Sequence, residues 1–176
     1  MNVNKVKSLA KINLALHVTG KHIKLHKIES IIKFIKLHDL ITIKKINSKK
    51  HNISFNGPFS QNINKKNTVN KLFNILDKQK LLNNKKFQIN IKKNIPQQAG
   101  LGGGSMNAAN ILNFLIKKKF LRLNQKKILE ITGLIGSDVI LGINPINTIL
   151  SSNNKIKKFS KSLNFHTLLV RPNFGC

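Results

Sequence analysis

Tyrosine and tryptophan are absent from the 176 residues, and cysteine occurs once, as the last residue, Cys176. A single cysteine excludes a disulfide framework within one monomer, which suits a reducing compartment. No apolar run approaches the roughly 20 residues of a membrane-spanning helix, and the N-terminal segment lacks the long apolar core of a signal peptide. These absences predict a cytoplasmic location and no membrane partner.

Acidic residues are scarce as well: 5 Asp and Glu stand against 32 Lys and Arg, a formal net charge of +27. Such an excess is typical of proteins that bind nucleic acid. It also fits codon bias, because Lys, Asn and Ile dominate together, all three have A/T-rich codons, and the lysines are scattered along the chain. We favour codon bias. Hydrophobic residues make up 40% of the chain, which excludes wholesale disorder.

The apolar pattern switches between the periods of strands and helices. It predicts an α+β fold, a mainly antiparallel or mixed sheet with helices on one side, and a loop over 151–162. A tight turn is predicted around His38 and Asp39. Helices are predicted at 67–82, from the glycine-rich segment to about Phe120, and at 124–136. Strands are predicted at 3–19, 28–37, 40–46, 51–55, 86–92, 138–143 and 166–172.

A glycine-rich segment, NIPQQAGLGGGSMNAANIL at 94–112, joins a predicted strand to a predicted helix. Glycines let the backbone wrap closely around a ligand, and the free N–H groups and dipole of a helix N-terminus favour an anion. The segment lacks the Lys-Ser/Thr of a P-loop and the sixth-position glycine of the dinucleotide fingerprint. It therefore predicts a phosphate cradle of a third type, with a flexible turn at a helix start as the alternative.

Among the five carboxylates, Asp138 stands where a general base would be useful. It follows Gly136-Ser137 and precedes an apolar run, which would place it at the mouth of a buried strand. A carboxylate that caps the turn is an equally good explanation from the local sequence. Asp39 is predicted in a hairpin turn, and Asp77 and Glu130 on solvated faces of helices.

The segment PQQAGLGGGSMNAA resembles the second motif of the GHMP kinases, which are ATP-dependent small-molecule kinases. AKINLALHVTGK, LHKIES and GSDV, in this order, resemble the members that phosphorylate a cytidine diphosphate-linked methylerythritol for non-mevalonate isoprenoid biosynthesis. The resemblance runs from about residue 6 to the last residue. It implies the ribosomal-protein-domain-like N-terminal domain of the family, with its left-handed β-α-β crossover, over 1–160. It also implies the start of a largely missing C-terminal domain at 161–176.

The resemblance assigns roles to individual residues. Asp138 would be the general base, and Lys11 would stabilise the charge that develops on the reacting groups. Asn13 and His26 would bind the substrate, although Leu25 stands where the family has a tyrosine that stacks on cytosine. The implied cofactors are ATP and Mg²⁺, without a dedicated protein metal site. Met106 replaces a second family serine, and Asn67 is explained equally well as a helix N-cap. The implied ATP-binding residues are Asn67, Pro96, Ala99, Gly100, Leu101, Gly102, Gly103, Gly104 and Ser105.

Two other functions stay open. A basic RNA-binding module would fit the charge and the related topology, but the chain has no Tyr or Trp for base stacking. Another GHMP kinase, such as homoserine kinase, would fit the cradle, but His26 within LHKIES favours the cytidyl substrate. We expect a small-molecule substrate and no nucleic acid as partner, and a homodimer is left open. Because active sites of the family lie between two domains, little turnover is expected from this chain alone.

Overall fold

The structure is a computed structural model that describes residues 3–21, 26–152, 155–159 and 166–170. Within these ranges, six strands, three α-helices and one short 3-10 helix follow one another. The strands are β1 (Asn4–Lys21), β2 (His26–Ile46), β3 (Asn52–Asn56), β4 (Lys86–Lys92), β5 (Thr148–Leu150) and β6 (Ile156–Lys158). The helices are α1 (Thr68–Lys78), α2 (Gly103–Lys117) and α3 (Gln125–Ile135), and the 3-10 helix spans Val139–Gly142.

The long strand β2 organises one mixed sheet. β1 pairs antiparallel with one edge of β2, while the other edge is shared by β5 near its start and by β4 near its end. β3 pairs in parallel with β4, α1 lies between them in the chain, and β6 pairs antiparallel with β5. The predicted mixed sheet is confirmed, and β3–α1–β4 supplies a β-α-β unit whose left hand stays a prediction.

The core lies between one face of the sheet and the helices, as predicted. In β4 (KFQINIK), Phe87, Ile89 and Ile91 are fully buried while Gln88 and Lys92 are exposed, because successive strand residues point to opposite faces. α1 and α2 turn their apolar sides toward the same cluster. Its helical members include Val69, Leu72, Phe73, Leu76, Ala108, Ala109, Ile111, Leu112 and Leu115.

The turn predicted at His38 and Asp39 is wrong, because both residues lie inside the 21-residue strand β2. Asp39 is 0% exposed. A polar pair between two apolar runs usually marks a loop, since a buried carboxylate without partners is too costly. Here the carboxylate has partners, but they come from distant parts of the chain.

The strand predicted at 138–143 is also wrong, since Val139–Gly142 forms a 3-10 helix. This segment packs so closely on α2 that a Cβ at Gly142 would lie 2.6 Å from the Ala109 Cβ. β6 falls within the loop predicted at 151–162. Residues 166–170 form no strand, and the rest of the strand predicted at 166–172 lies outside the described residues.

Three apolar residues in the second half of β1 are exposed to solvent and do not pack in the core. Leu14, Leu16 and Val18 are 41%, 55% and 65% exposed. The pairing register with β2 shifts between Asn13 and Ala15, and such an irregularity breaks the alternation that the sequence suggests. Across the described ranges, none of the helices combines the length and apolarity needed to cross a bilayer.

Candidate nucleotide-binding and phosphotransfer site

Helix α2 begins directly at the run of three glycines. Gly102 is the N-cap in the left-handed conformation, at φ 68°, and no side chain caps the helix. The ladder starts with the bond from the Met106 N–H to the Gly102 carbonyl, at 2.9 Å. The amides of Gly103, Gly104 and Ser105 therefore precede the ladder at the positive end of the helix dipole, where an anion is favoured.

Two of the glycines lie close to neighbouring side chains. At Gly102, a Cβ would lie 2.8 Å from the Lys11 Cγ, and the backbone is in a conformation that side chains rarely adopt. At Gly103, a Cβ would lie 3.0 Å from the Ile95 Cγ2 and 3.2 Å from the Lys93 Nζ. The run is thus a tightly packed part of the fold, which argues against the flexible-turn alternative.

A cavity of about 310 Å³ lies at this helix N-terminus. The Thr68 hydroxyl donates to the Gly104 carbonyl at 2.7 Å and ties α1 to the cradle. Asn67 is the N-cap of α1, with Oδ1 accepting from the N–H groups of Val69 and Asn70. The structure brings together all nine predicted ATP-binding residues, which line the cavity: Asn67, Pro96, Ala99, Gly100, Leu101, Gly102, Gly103, Gly104 and Ser105.

Several lining residues were not predicted from the sequence. Phe55, Ile63 and Val69 give the cavity an apolar part, and Lys93 and Asn107 also line it. No local motif marks the first four of these residues, which come from separate parts of the chain, whereas Asn107 lies within the glycine-rich motif but was given no role from the sequence. The combination of an apolar wall and a helix N-terminus suits a ligand with a flat base and phosphates.

Lys11 and Asp138 meet beside the cradle, although 127 positions separate them in the sequence. The Lys11 Nζ lies 3.6 Å from the Asp138 Oδ2. The Lys11 backbone N–H donates to the Leu101 carbonyl at 3.0 Å, so β1 is bonded to the glycine segment itself. The lysine is 8% exposed, which excludes the solvated strand lysine that its composition alone would suggest.

The Asp138 side chain is available for this pairing. Asp138 precedes the 3-10 helix but makes no side-chain capping bond there. Its side chain is 39% exposed, so the carboxylate faces both the buried ammonium of Lys11 and solvent. This placement disfavours the turn-capping explanation and leaves one carboxylate oriented toward the cradle's edge.

A family model described as "GHMP kinases N terminal domain" matches residues 67–147, which include the cradle and Asp138. Over its whole length of 176 residues, the chain is 60% identical to the 4-diphosphocytidyl-2-C-methyl-D-erythritol kinase of Pelagibacter ubique. The match covers 63% of that relative. The chain is thus similar to a GHMP kinase over its whole length, and residues 67–147 match the N-terminal domain of that family.

Other kinases match this chain at lower sequence identity. A 4-diphosphocytidyl-2-C-methyl-D-erythritol kinase of Clostridioides difficile is 38% identical over 143 residues, which are 79% of this chain and 47% of the relative. A crystal structure of 4-(cytidine 5'-diphospho)-2C-methyl-D-erythritol kinase matches with a TM-score of 0.71 at 22% identity, over 89% of this chain and 55% of that one. The Methanococcus jannaschii mevalonate kinase matches with a TM-score of 0.60 at 17% identity, over 91% and 56%.

These matches show a fold shared with the GHMP kinases and a sequence similarity to them. The two crystal structures are less than 25% identical and show a shared fold alone. This chain spans less than two thirds of the curated relatives named above, 63% of one and 47% of the other.

The predicted substrate residues, Asn13 and His26, differ in how far the structure describes them. Asn13 lies next to Lys11, whose Nζ donates to the Asn13 Oδ1 at 2.8 Å. The Asn13 Nδ2 donates to the Ser30 hydroxyl at 2.6 Å, and that hydroxyl donates to the Ala15 carbonyl at 2.8 Å. His26 begins β2, but its side chain lies outside the described part, as does Leu25. Ser30 was not predicted.

Met106 does not reach the cradle. Its side chain is fully buried with Ile32 and Leu141, and its sulfur would lie 3.0 Å from a Cβ at Gly142. The methionine therefore packs α2 against the 3-10 helix. Among the described residues, no three His, Cys, Asp or Glu side chains come together as a metal site.

Proposed function

We propose that this protein binds ATP in the cradle and transfers its terminal phosphoryl group to a hydroxyl of 4-diphosphocytidyl-2-C-methyl-D-erythritol. The observation that carries the proposal is the 3.6 Å approach of Lys11 and Asp138 at the edge of a glycine-lined helix N-terminus. The choice of substrate is supported by the relatives of that name, one of them 60% identical. The reaction would belong to non-mevalonate isoprenoid precursor biosynthesis.

The cradle supplies two kinds of surface to the nucleotide. The amides of Gly103, Gly104 and Ser105 would bind phosphate oxygens, and the apolar wall of Phe55, Ile63 and Val69 would hold the base. Mg²⁺ binds through phosphates with one or two protein oxygens, so it would arrive with the nucleotide. The Ser105 hydroxyl and the Asp138 carboxylate are oxygen donors of the kind that it accepts.

Asp138 and Lys11 divide the chemistry of the transfer. Asp138 would take the proton from the attacking 2-hydroxyl, whose oxygen forms the new bond to phosphorus. The bond from the γ-phosphorus to its bridging oxygen breaks, and ADP leaves. Lys11, held by Asn13, would stabilise the developing negative charge. Asn13 and His26 are proposed to position the substrate.

Calorimetric titration with ADP tests the cradle on this chain. Gly103→Val should abolish detectable binding, because its side chain would collide with Ile95 and Lys93. Gly133→Val is the matched control: that glycine lies in α3 with nothing within 4 Å of a Cβ, and ADP binding should stay at the wild-type level. Binding that survives in a folded Gly103→Val variant would contradict the proposal, as would wild-type protein that binds RNA but not ADP.

A further inference from the structure

Asp39 carries a network that the phosphotransfer chemistry does not use. Its carboxylate is fully buried in the middle of β2 and accepts four hydrogen bonds. Oδ1 accepts from the backbone N–H groups of Asn94 and Ile95, both at 2.8 Å. Oδ2 accepts from the Lys93 ammonium and, at 2.8 Å, from the Asn107 Nδ2.

These partners stand at the two ends of the cradle. Asn94 and Ile95 come directly before Pro96, and Asn107 follows Ser105 by two residues within α2. One carboxylate therefore holds the chain where it enters the glycine segment and where it leaves it. Lys93 adds a contact in the middle, since its Nζ lies 3.2 Å from the place of a Cβ at Gly103.

The desolvation of these buried polar groups offsets much of the stability that their contacts could contribute. A buried ion pair is frequently no more stabilising than apolar side chains of the same volume. Asn107 adds to the cost, because its Oδ1 is buried and has no hydrogen-bond partner among the described residues. The Asn107 amide thus contributes its donor to Asp39 while its acceptor is unsatisfied, which favours a role in fixing geometry.

The ammonium of Lys93 is an anchor in this arrangement. Its side chain is 5% exposed and pairs with the Asp39 carboxylate. A fully exposed lysine would give phosphate a mobile charge, whereas the Lys93 ammonium is held by Asp39 close to Gly103. A loop held in the anion-binding shape before the ligand arrives loses less entropy when the ligand binds.

We infer that Asp39 is a positioning residue for the nucleotide's phosphates. It holds one end of the cradle through the backbone N–H groups of Asn94 and Ile95 and the other end through Asn107. The inference rests on the proposed function, because it concerns the same cradle. It predicts a specific pattern: loss of Asp39 weakens the binding of phosphates and leaves the binding of the nucleoside part unchanged.

The test compares the affinities of ADP and adenosine, measured by calorimetry on this chain. In Asp39→Asn an amide donor would face the donors of Lys93 and Asn107, and the charge that holds them is lost. The affinity for ADP should fall by about tenfold or more, with that for adenosine unchanged. Asp77→Asn is the matched control, since that carboxylate also pairs with a lysine, Lys86, but away from the cradle; both affinities should stay at wild-type values.

Circular dichroism establishes that each variant is folded before the affinities are compared. If Asp39→Asn does not fold, Asn107→Ala decides, because it releases only the α2 end of the cradle. If the folded Asp39→Asn variant keeps the wild-type preference for ADP, the inference is overturned and the proposed function is not. The same holds for Asn107→Ala where that variant takes its place. Wild-type protein that shows no preference for ADP over adenosine overturns the proposed function, and the inference with it.

Discussion

Lys11 is held by contacts along its whole length. Its backbone N–H donates to Leu101, its Cγ packs against Gly102, and its Nζ donates to Asn13 and lies 3.6 Å from Asp138. The ammonium is therefore placed by the same glycine segment that forms the cradle. A group fixed in this way needs little rearrangement when charge develops near it, which is the condition for electrostatic catalysis.

Asp138→Asn should separate chemistry from binding. The amide keeps the size of the side chain but cannot take a proton, so kcat for phosphate transfer should fall by about 10²- to 10⁴-fold. The affinity for ADP should change little, since the cradle amides are untouched. The measurement is transfer from ATP to the cytidyl substrate by the natural gene product, with Asp77→Asn as control.

Homoserine is the comparison substrate in the same assay. Faster transfer to homoserine than to the cytidyl substrate would assign the protein to another GHMP kinase. An Asp138→Asn variant with undiminished kcat would remove Asp138 from the role of base.

Single residues also show where prediction from the sequence reaches its limit. Eight of the nine predicted cradle residues lie within one glycine-rich motif, which is why the sequence places them together, and only Asn67 stands apart from it. The burial of Asp39 could not, since its partners Lys93 and Asn107 lie 54 and 68 positions away. A local pattern contains no information on such distant donors, so the polar pair was interpreted as a turn.

At the scale of elements, His51 joins β3, α1 and β4. Its ring lies against Phe73 and Phe87, with ring centroids 4.4 and 6.1 Å apart. Nδ1 accepts the Phe87 N–H at 3.1 Å, and Nε2 lies 3.3 Å from the Asp77 carboxylate, which Lys86 also contacts at 2.8 Å. Burial lowers the pKa of His51, and the nearby Lys86 charge adds to this, while the contact with Asp77 opposes it.

Stability should therefore fall as the medium becomes acidic. Because the folded-state pKa of His51 lies below its ordinary 6.5, the unfolded chain takes up the proton first. The contribution of His51 is fully present above pH 6.5 and is lost as the pH falls through the lowered pKa. Denaturant titrations from pH 8 to pH 5 measure this as a decreasing free energy of unfolding.

The control for this effect is His51→Asn, whose side-chain oxygen can accept the Phe87 N–H without titrating. Its free energy of unfolding should decline less between pH 6.5 and 5. Equal slopes for the two proteins would contradict the assignment to His51. The Asp77 carboxyl titrates outside this range, since burial raises its pKa but the contacts with Lys86 and His51 lower it below 3.8 overall.

Helices and strands could be predicted where the apolar residues recur with a clear helical or strand spacing. β4 occupies the predicted residues 86–92, and α3 lies within the predicted 124–136. The apolar run at 138–143 does not alternate, and such a run cannot be told from a buried turn by its period. β5 and β6 have three residues each, and they form because β2 and their mutual pairing hold them.

At the scale of the whole molecule, positive charge is far in excess. Four of the five carboxylates pair with lysines: Asp39, Asp77, Glu130 and Asp138. With 32 Lys and Arg in the chain, most cations have no carboxylate to pair with. Their mutual repulsion destabilises the compact state, and any polyanion is attracted by the same field.

Added salt should consequently stabilise the fold and weaken anion binding together. The Debye length falls from about 30 Å at 0.01 M to about 8 Å at 0.15 M salt, so repulsion between separate surface lysines is largely screened. Scanning calorimetry should show Tm rising by a few degrees over this range, since about 1 kcal/mol shifts Tm by roughly 2–8 °C. A Tm that falls would mean that the surface ion pairs outweigh the repulsion.

Binding of an RNA oligonucleotide should weaken steeply over the same range of salt concentration. It should be the same in Gly103→Val as in wild type, because the diffuse field does not depend on the cradle. RNA binding that is lost in Gly103→Val would instead place the polyanion in the cradle itself.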